Sequence, residues 1–288
     1  MNAKKIVVTG GPGTIGRRLI LRLLEAGYNI HSVDILPWPG APCPHIMADM
    51  RNLGETADAL SGADIVIHLA AVRVNDIVTP GETFSQNVLT AFNVFWAAKL
   101  VGVRRVLWAS SSHAAGQPYD IESMPKAMPL IETDQPSCAD TYGFSKSCME
   151  SVLKHQRVWS GLEIAALRVG FAYESSDYEF LYNVDCPRIF ANPVERLSNL
   201  WGYVDGRDVF QAFQLGIESP ASLAGEILFI TSDETLMNRP TRELLAEFSP
   251  NTKVAADLPE FGGFYSVARA RKILGYEPRH SWREFVAL

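Results

Sequence analysis

The strongest constraint on the fold is a run of glycines between a short apolar strand and an amphipathic helix. Lys5 to Thr9, Lys-Ile-Val-Val-Thr, has the apolar, β-branched character of a buried strand. Gly10-Gly11-Pro12-Gly13-Thr14-Ile15-Gly16 follows at once. From Arg17 to Ala26 the apolar residues Leu19, Ile20, Leu23 and Leu24 recur at helical spacing. A glycine turn in that setting lets the backbone approach a pyrophosphate, and the helix start presents unpaired N–H groups and a positive dipole end. Gly10, Gly13, Thr14, Ile15 and Gly16 are therefore the expected dinucleotide cradle. Two registers fit, Gly11-x-Gly13-x-x-Gly16 and Gly10-x-x-Gly13-x-x-Gly16, and the preceding Thr9 favours the second.

A second strand, Asn29 to Val33, runs into Asp34. An acid about 20 residues past the glycine turn suits a ribose 2′-hydroxyl and repels a 2′-phosphate. Ile35-Leu36-Pro37 follow it and bring no arginine, so NAD is the expected cofactor rather than NADP. Beyond a strand at His45 to Met47, the chain continues with strands at Ala63–Leu69, Arg104–Ala109, Glu163–Arg168 and Glu226–Ile230. Helices at Phe84–Val101, Tyr142–Ser160 and Asp208–Ile217 lie between them. This alternation predicts an α/β fold, a Rossmann-type doubly wound parallel sheet. The pattern breaks near Phe171. Residues 1–170 plus 201–231 are the expected nucleotide domain, and 171–200 plus 232–288 a small C-terminal substrate lobe.

Composition narrows the partners. A net charge of −6 argues against a nucleic-acid surface. No run of eighteen apolar residues exists and the start lacks a signal-peptide pattern, so the expectation is a cytoplasmic protein off the membrane. Four cysteines without paired spacing read as reduced thiols, and six scattered histidines give no metal site.

Tyr142 and Lys146 carry the chemistry. Four residues apart on a helix, they share one face. A cation about 4 Å from a phenol, at an effective dielectric of about 20, favours the phenolate by roughly 4 kcal/mol. That moves a phenol from about 10 toward about 7, where proton transfer works best. Ser110-Ser111-Ser112-His113 ends the strand that begins near Arg104, and a serine hydroxyl there suits a substrate oxygen. Arg73 and His113 are further crevice candidates.

Together these features resemble the extended short-chain dehydrogenase/reductase, or NAD-dependent epimerase/dehydratase, family. The matching elements are Thr9-Gly10-x-x-Gly13-x-x-Gly16, Asp34, Asp49-Met50, His68-Leu69-Ala70-Ala71, Asn87, the serine triplet, Tyr142-x-x-x-Lys146 and Tyr203-Val204-Asp205-Gly206-Arg207-Asp208. The resemblance spans nearly the whole chain. It implies Tyr142 as general acid/base, Lys146 as its tuner and a ribose ligand, and Ser111 as ligand of the substrate oxygen. It also implies Asp49 and Met50 at adenine, and Leu69, Ala70, Ala71 and Asn87 beside the cofactor. A homodimer built on the helices at 84–101 and 142–160 is a further implication. Within the family the chain resembles the uronate dehydrogenases in Ser110–Gly116 and, with a one-residue shift, Arg196–Trp201. That likeness implies Ser112 and His113 near substrate and Arg196 as anchor for a carboxylate; read alone, Arg196 is equally a surface charge. Asn199 stands where nucleotide-sugar members carry an arginine. The expected activity is NAD-dependent oxidation of a hydroxyl on a small sugar or sugar acid. A nucleotide-sugar 4-epimerase or dehydratase, and a non-catalytic NAD-binding regulator, are the alternatives.

Overall fold

The computed structural model describes residues 4–73, 78–116, 123–134, 138–174, 177 and 180–284. The strands are β1 (Lys5–Thr9), β2 (Asn29–Asp34), β3 (His45–Met47), β4 (Ile65–His68), β5 (Arg105–Ser111), β6 (Ala127–Met128), β7 (Glu163–Val169), β8 (Ala172–Tyr173), β9 (Val204–Asp205), β10 (Ile227–Ile230) and β11 (Lys253–Val254). The α-helices are α1 (Thr14–Glu25), α2 (Leu53–Leu60), α3 (Pro80–Leu100), α4 (Thr141–Leu153), α5 (Cys186–Ala191), α6 (Gly206–Glu218), α7 (Thr241–Phe248) and α8 (Ala268–Leu274). None of the described helices is long and apolar enough to cross a membrane.

Seven strands form one sheet in the order β10-β7-β5-β4-β1-β2-β3. The pairs β1–β2, β1–β4, β2–β3 and β4–β5 are parallel. The chain winds from β1 outward to β3, then returns to the other side of β1 with β4. This reversal makes the carboxyl ends of β1 and β4 a topological switch point, where open α/β sheets take ligands. Their last residues, Thr9 and His68, are register partners. Every residue of β4 is buried, as expected of a strand covered on both faces.

The chain divides into two compact units. Residues 1–110, 140–167 and 213–227 form the first, and 111–139, 168–212 and 228–288 the second. Segments 111–139, 168–170, 201–212 and 228–231, given to the nucleotide domain on sequence, cluster with the second unit. In the first unit, α3 and α4 pack around Phe95, Trp108, Met149 and Trp159. The second unit has its own core, including Tyr173, Leu197, Trp201, Tyr203, Phe229, Phe264 and Trp282.

Two helices differ from the sequence reading by four residues or more. α4 stops at Leu153 rather than Ser160. The chain then folds back through successive turns, and Trp159 packs edge-on to Phe95 and Trp96 while its indole N–H donates to Val152 O at 2.9 Å. Burying that indole outweighs another helical turn. α3 starts four residues earlier than expected, at Pro80, with Thr79 capping Glu82 N; proline at the first helical position needs no N–H partner.

Candidate active site

The glycine turn forms as its spacing requires. Gly10 has φ +78° and its N–H donates to Val33 O at 2.9 Å. A Cβ at Gly10 would stand 2.6 Å from Ala70 N, and one at Gly16 only 2.2 Å from Gly10 O. Backbone closes on backbone at both positions, so only glycine fits. The α1 N-cap is Gly13, which supplies no side-chain cap. Gly13 and Thr14 are exposed, Ile15 is half-buried, and no acid sits in the first turn of α1. An uncapped, solvent-facing helix start beside a glycine cradle fits a dinucleotide phosphate.

At the carboxyl end of β4, Leu69, Ala70 and Ala71 are half-buried. Leu69 N donates to Thr9 O, which extends the ladder by one residue. Asn87, on α3, clasps the same stretch: Val72 N donates to its Oδ1 at 2.8 Å, and its Nδ2 donates to Val72 O at 2.9 Å and to Ser145 Oγ at 3.3 Å. Its amide is spent on shaping the crevice wall. Arg73 is exposed just beyond.

Asp34 ends β2, and Leu36 N donates to its Oδ1 at 2.8 Å. Burial pushes its carboxyl above the usual range, against those backbone hydrogen bonds. Arg51 grips Asp49 through both carboxylate oxygens, which holds that carboxyl low. Met50 is buried, and its carbonyl accepts from Asn93 on α3 at 3.0 Å.

Helix α4 brings the two expected chemical groups together. Asp140 caps it, accepting from Gly143 N at 2.6 Å. Tyr142 is half-buried and Lys146 is 4 % exposed. The Lys146 ammonium lies 5.7 Å from the centre of the Tyr142 ring and 5.0 Å from that of Trp108. It donates to Ala109 O on β5 at 2.8 Å. Burial pushes this amine down to about 7, and the carboxylate of Glu150 pulls in the opposite direction. His68 is fully buried, with Nδ1 2.7 Å from Thr9 Oγ1 and Nε2 without a hydrogen-bond partner among the described residues. Burial, with the nearby Lys146 charge, takes it down to about 3, so it is neutral.

Glu150, and the pairing of Ser110 with it, escaped the sequence reading. Ser110 Oγ donates to Glu150 Oε1 at 2.6 Å, and both side chains are buried. The available signal was spacing: Glu150 lies four residues past Lys146, as Lys146 does past Tyr142.

The remaining sequence candidates lie in the second unit. Ser111 is 6 % exposed and its Oγ accepts from His113 N at 3.2 Å, capping the short turn Ser112–Ala115. Ser112 is buried and His113 half-buried within that turn. Arg196 already has partners: its Nη2 donates to Tyr173 Oη at 2.9 Å and to Asp185 Oδ2 at 3.2 Å, and its guanidinium lies 4.4 Å from the Phe171 ring centre. Any incoming carboxylate would share it with Asp185.

Residues 6–179 match the model of the NAD dependent epimerase/dehydratase family. A 3-beta-hydroxysteroid dehydrogenase of Mycolicibacterium neoaurum is 24 % identical, over 98 % of this chain and 89 % of its own. A uronate dehydrogenase of Pseudomonas putida is 28 % identical, over 59 % and 61 %. Among solved structures, a short-chain dehydrogenase/reductase superfamily protein from Agrobacterium tumefaciens with bound NAD superposes with a TM-score of 0.72 at 23 % identity, covering 97 % of this chain and 94 % of that one.

Proposed function

The chain belongs to the NAD dependent epimerase/dehydratase family, and we propose that this NAD-dependent enzyme is a dehydrogenase oxidising a hydroxyl of a small sugar or sugar acid. The observation that carries the reading is the pairing on α4, where the Lys146 ammonium sits 5.7 Å from the centre of the Tyr142 ring and is anchored to β5. NAD, when bound, supplies the hydride acceptor. Gly10, Gly13, Thr14, Ile15 and Gly16 would hold its phosphates at the start of α1, and Asp34 its ribose. Asp49 and Met50 would serve its adenine, and Leu69, Ala70 and Ala71, braced by Asn87, would wall it. Lys146 would be a nicotinamide-ribose ligand, with Tyr142 next to it on α4.

Tyr142 takes the hydroxyl proton of the substrate as its carbon gives up hydride, and the product is a carbonyl compound. Lys146 stabilises the phenolate. Ser111 is the proposed ligand of the reacting oxygen, and Ser112, His113 and Arg73 are proposed substrate contacts. The relation to a uronate dehydrogenase supports a sugar acid, and Arg196 is then its anion contact. The partners already on Arg196 make neutral sugars equal candidates.

Exposed apolar side chains on α3 and α4 support a homodimer. Phe144 is 51 % exposed, Leu89 44 % and Phe92 40 %, and Phe84 stacks on Phe144 at 5.0 Å. A second copy set on both helices would bury them. All four cysteines are free, which suits a reducing, cytoplasmic setting.

The test is NADH absorbance across uronates, aldoses, sugar acids and nucleotide sugars. Turnover on a uronate or aldose is the expected result. Protein that purifies with NAD and interconverts sugar epimers without net NADH would replace the dehydrogenase by an epimerase.

A further inference from the structure

We propose that Glu150 is a positioning residue of the catalytic machinery: pinned by Ser110, its buried carboxylate keeps the Lys146 ammonium charged for Tyr142. The inference rests on the reading of Tyr142 as acid/base. Tyr142, Lys146 and Glu150 follow one another at four-residue intervals, so α4 presents them in one row. Two consecutive residues of β5 fasten that row: Ala109 O accepts from Lys146 at 2.8 Å, and Ser110 Oγ donates to Glu150 at 2.6 Å. Lys146 and Glu150 are 4 % and 3 % exposed.

A buried ammonium is costly unless an opposite charge compensates it, and the same holds for a buried carboxylate. Among the described residues, these groups face Lys146. On α4 they are Tyr142 and Glu150; on β4 it is His68, which is neutral; on β5 they are the Trp108 ring and the Ala109 carbonyl. Neither of the β5 groups titrates. Glu150 is thus the group that opposes the effect of burial on the amine. Without it the amine would be neutral through the working range, and the phenol would lose its cation. Ser110 donates to the carboxylate at 2.6 Å and so fixes its position beside the row.

The plain alternative is that Ser110 and Glu150 only brace α4 against β5. Glu150→Gln separates the two roles, because the amide oxygen still accepts from Ser110 while the charge is gone. In protein carrying 15Nζ-lysine, with the Lys146 signal identified by its loss in Lys146→Met, the wild-type amine should titrate near 7. In Glu150→Gln its midpoint should fall by about one pH unit or more, and the alkaline limb of kcat/KM should move acidward with it. Glu150→Asp, which keeps the charge, should restore most of both. A Glu150→Gln midpoint equal to wild type overturns the proposal.

Should Glu150→Gln fold too poorly to titrate, melting of the Lys146→Met/Glu150→Gln double variant decides. The double variant should melt higher than the sum of the two single-variant changes predicts, whereas strictly additive changes would mean a mere brace. If no hydroxyl substrate reduces NAD, the functional reading fails while the amine titration still answers for Glu150. An active wild type with an unmoved midpoint removes this inference alone.

Discussion

Lys146 concentrates the tension at the residue scale. The role proposed for it beside Tyr142 needs a charge, and its burial opposes one, with the amine brought down to about 7. Unfolded, a lysine titrates near 10.4. Between those values the unfolded chain binds more protons than the native one, so this group makes stability rise with pH. The penalty is greatest below about 7 and gone near 10.4. Lys146→Met should therefore abolish turnover, and its melting temperature relative to wild type should fall steadily as pH rises from 6 toward 10. A melting difference that ignores pH would show that Lys146 is not destabilised by burial. Tyr142 and Lys146 were readable from the sequence because a four-residue interval on a helix is local geometry. The partners Ser110 for Glu150 and Val72 for Asn87 were not, since each lies on another element and needs the folded sheet.

At the scale of elements, the glycine turn and α1 are the least tolerant part. In Gly16→Ala the new Cβ would fall 2.2 Å from Gly10 O and 2.8 Å from Gly11 O, both backbone atoms. The turn must open, so calorimetric titration should show NAD binding lost, with stability down by about 1–3 kcal/mol. Undiminished NAD affinity would move the phosphates elsewhere. The strand, turn and helix here were legible because each is written in consecutive residues. The end of α4 was not: the apolar pattern continues to Trp159, but that ring is held by Phe95 and Trp96, which come from α3. Trp159→Ala should remove this anchor and cost about 3–5 kcal/mol by denaturant melting, in line with large core truncations; a cost under 1 kcal/mol would mean the foldback is not held by the indole.

For the whole molecule, the alternation of strands and helices disclosed the parallel sheet, whereas the two compact units divide the chain at places no composition shift marks, such as between Ser110 and Ser111. Assembly belongs to this scale too. Phe144→Asp places a charge in the exposed patch on α3 and α4 without touching Lys146, so light scattering should report monomer in place of dimer. A variant with unchanged mass would place the interface on another face.

In the proposed reaction the Tyr142 phenol, with Lys146 behind it, moves the proton during NAD reduction. Single-turnover NADH formation by Tyr142→Phe, on the best substrate of the screen and with NAD saturating, addresses it most directly. Loss of a general base costs about 10²–10⁴-fold, so the rate constant should fall by that much while NAD affinity holds within a few-fold. A rate within threefold of wild type would contradict the account.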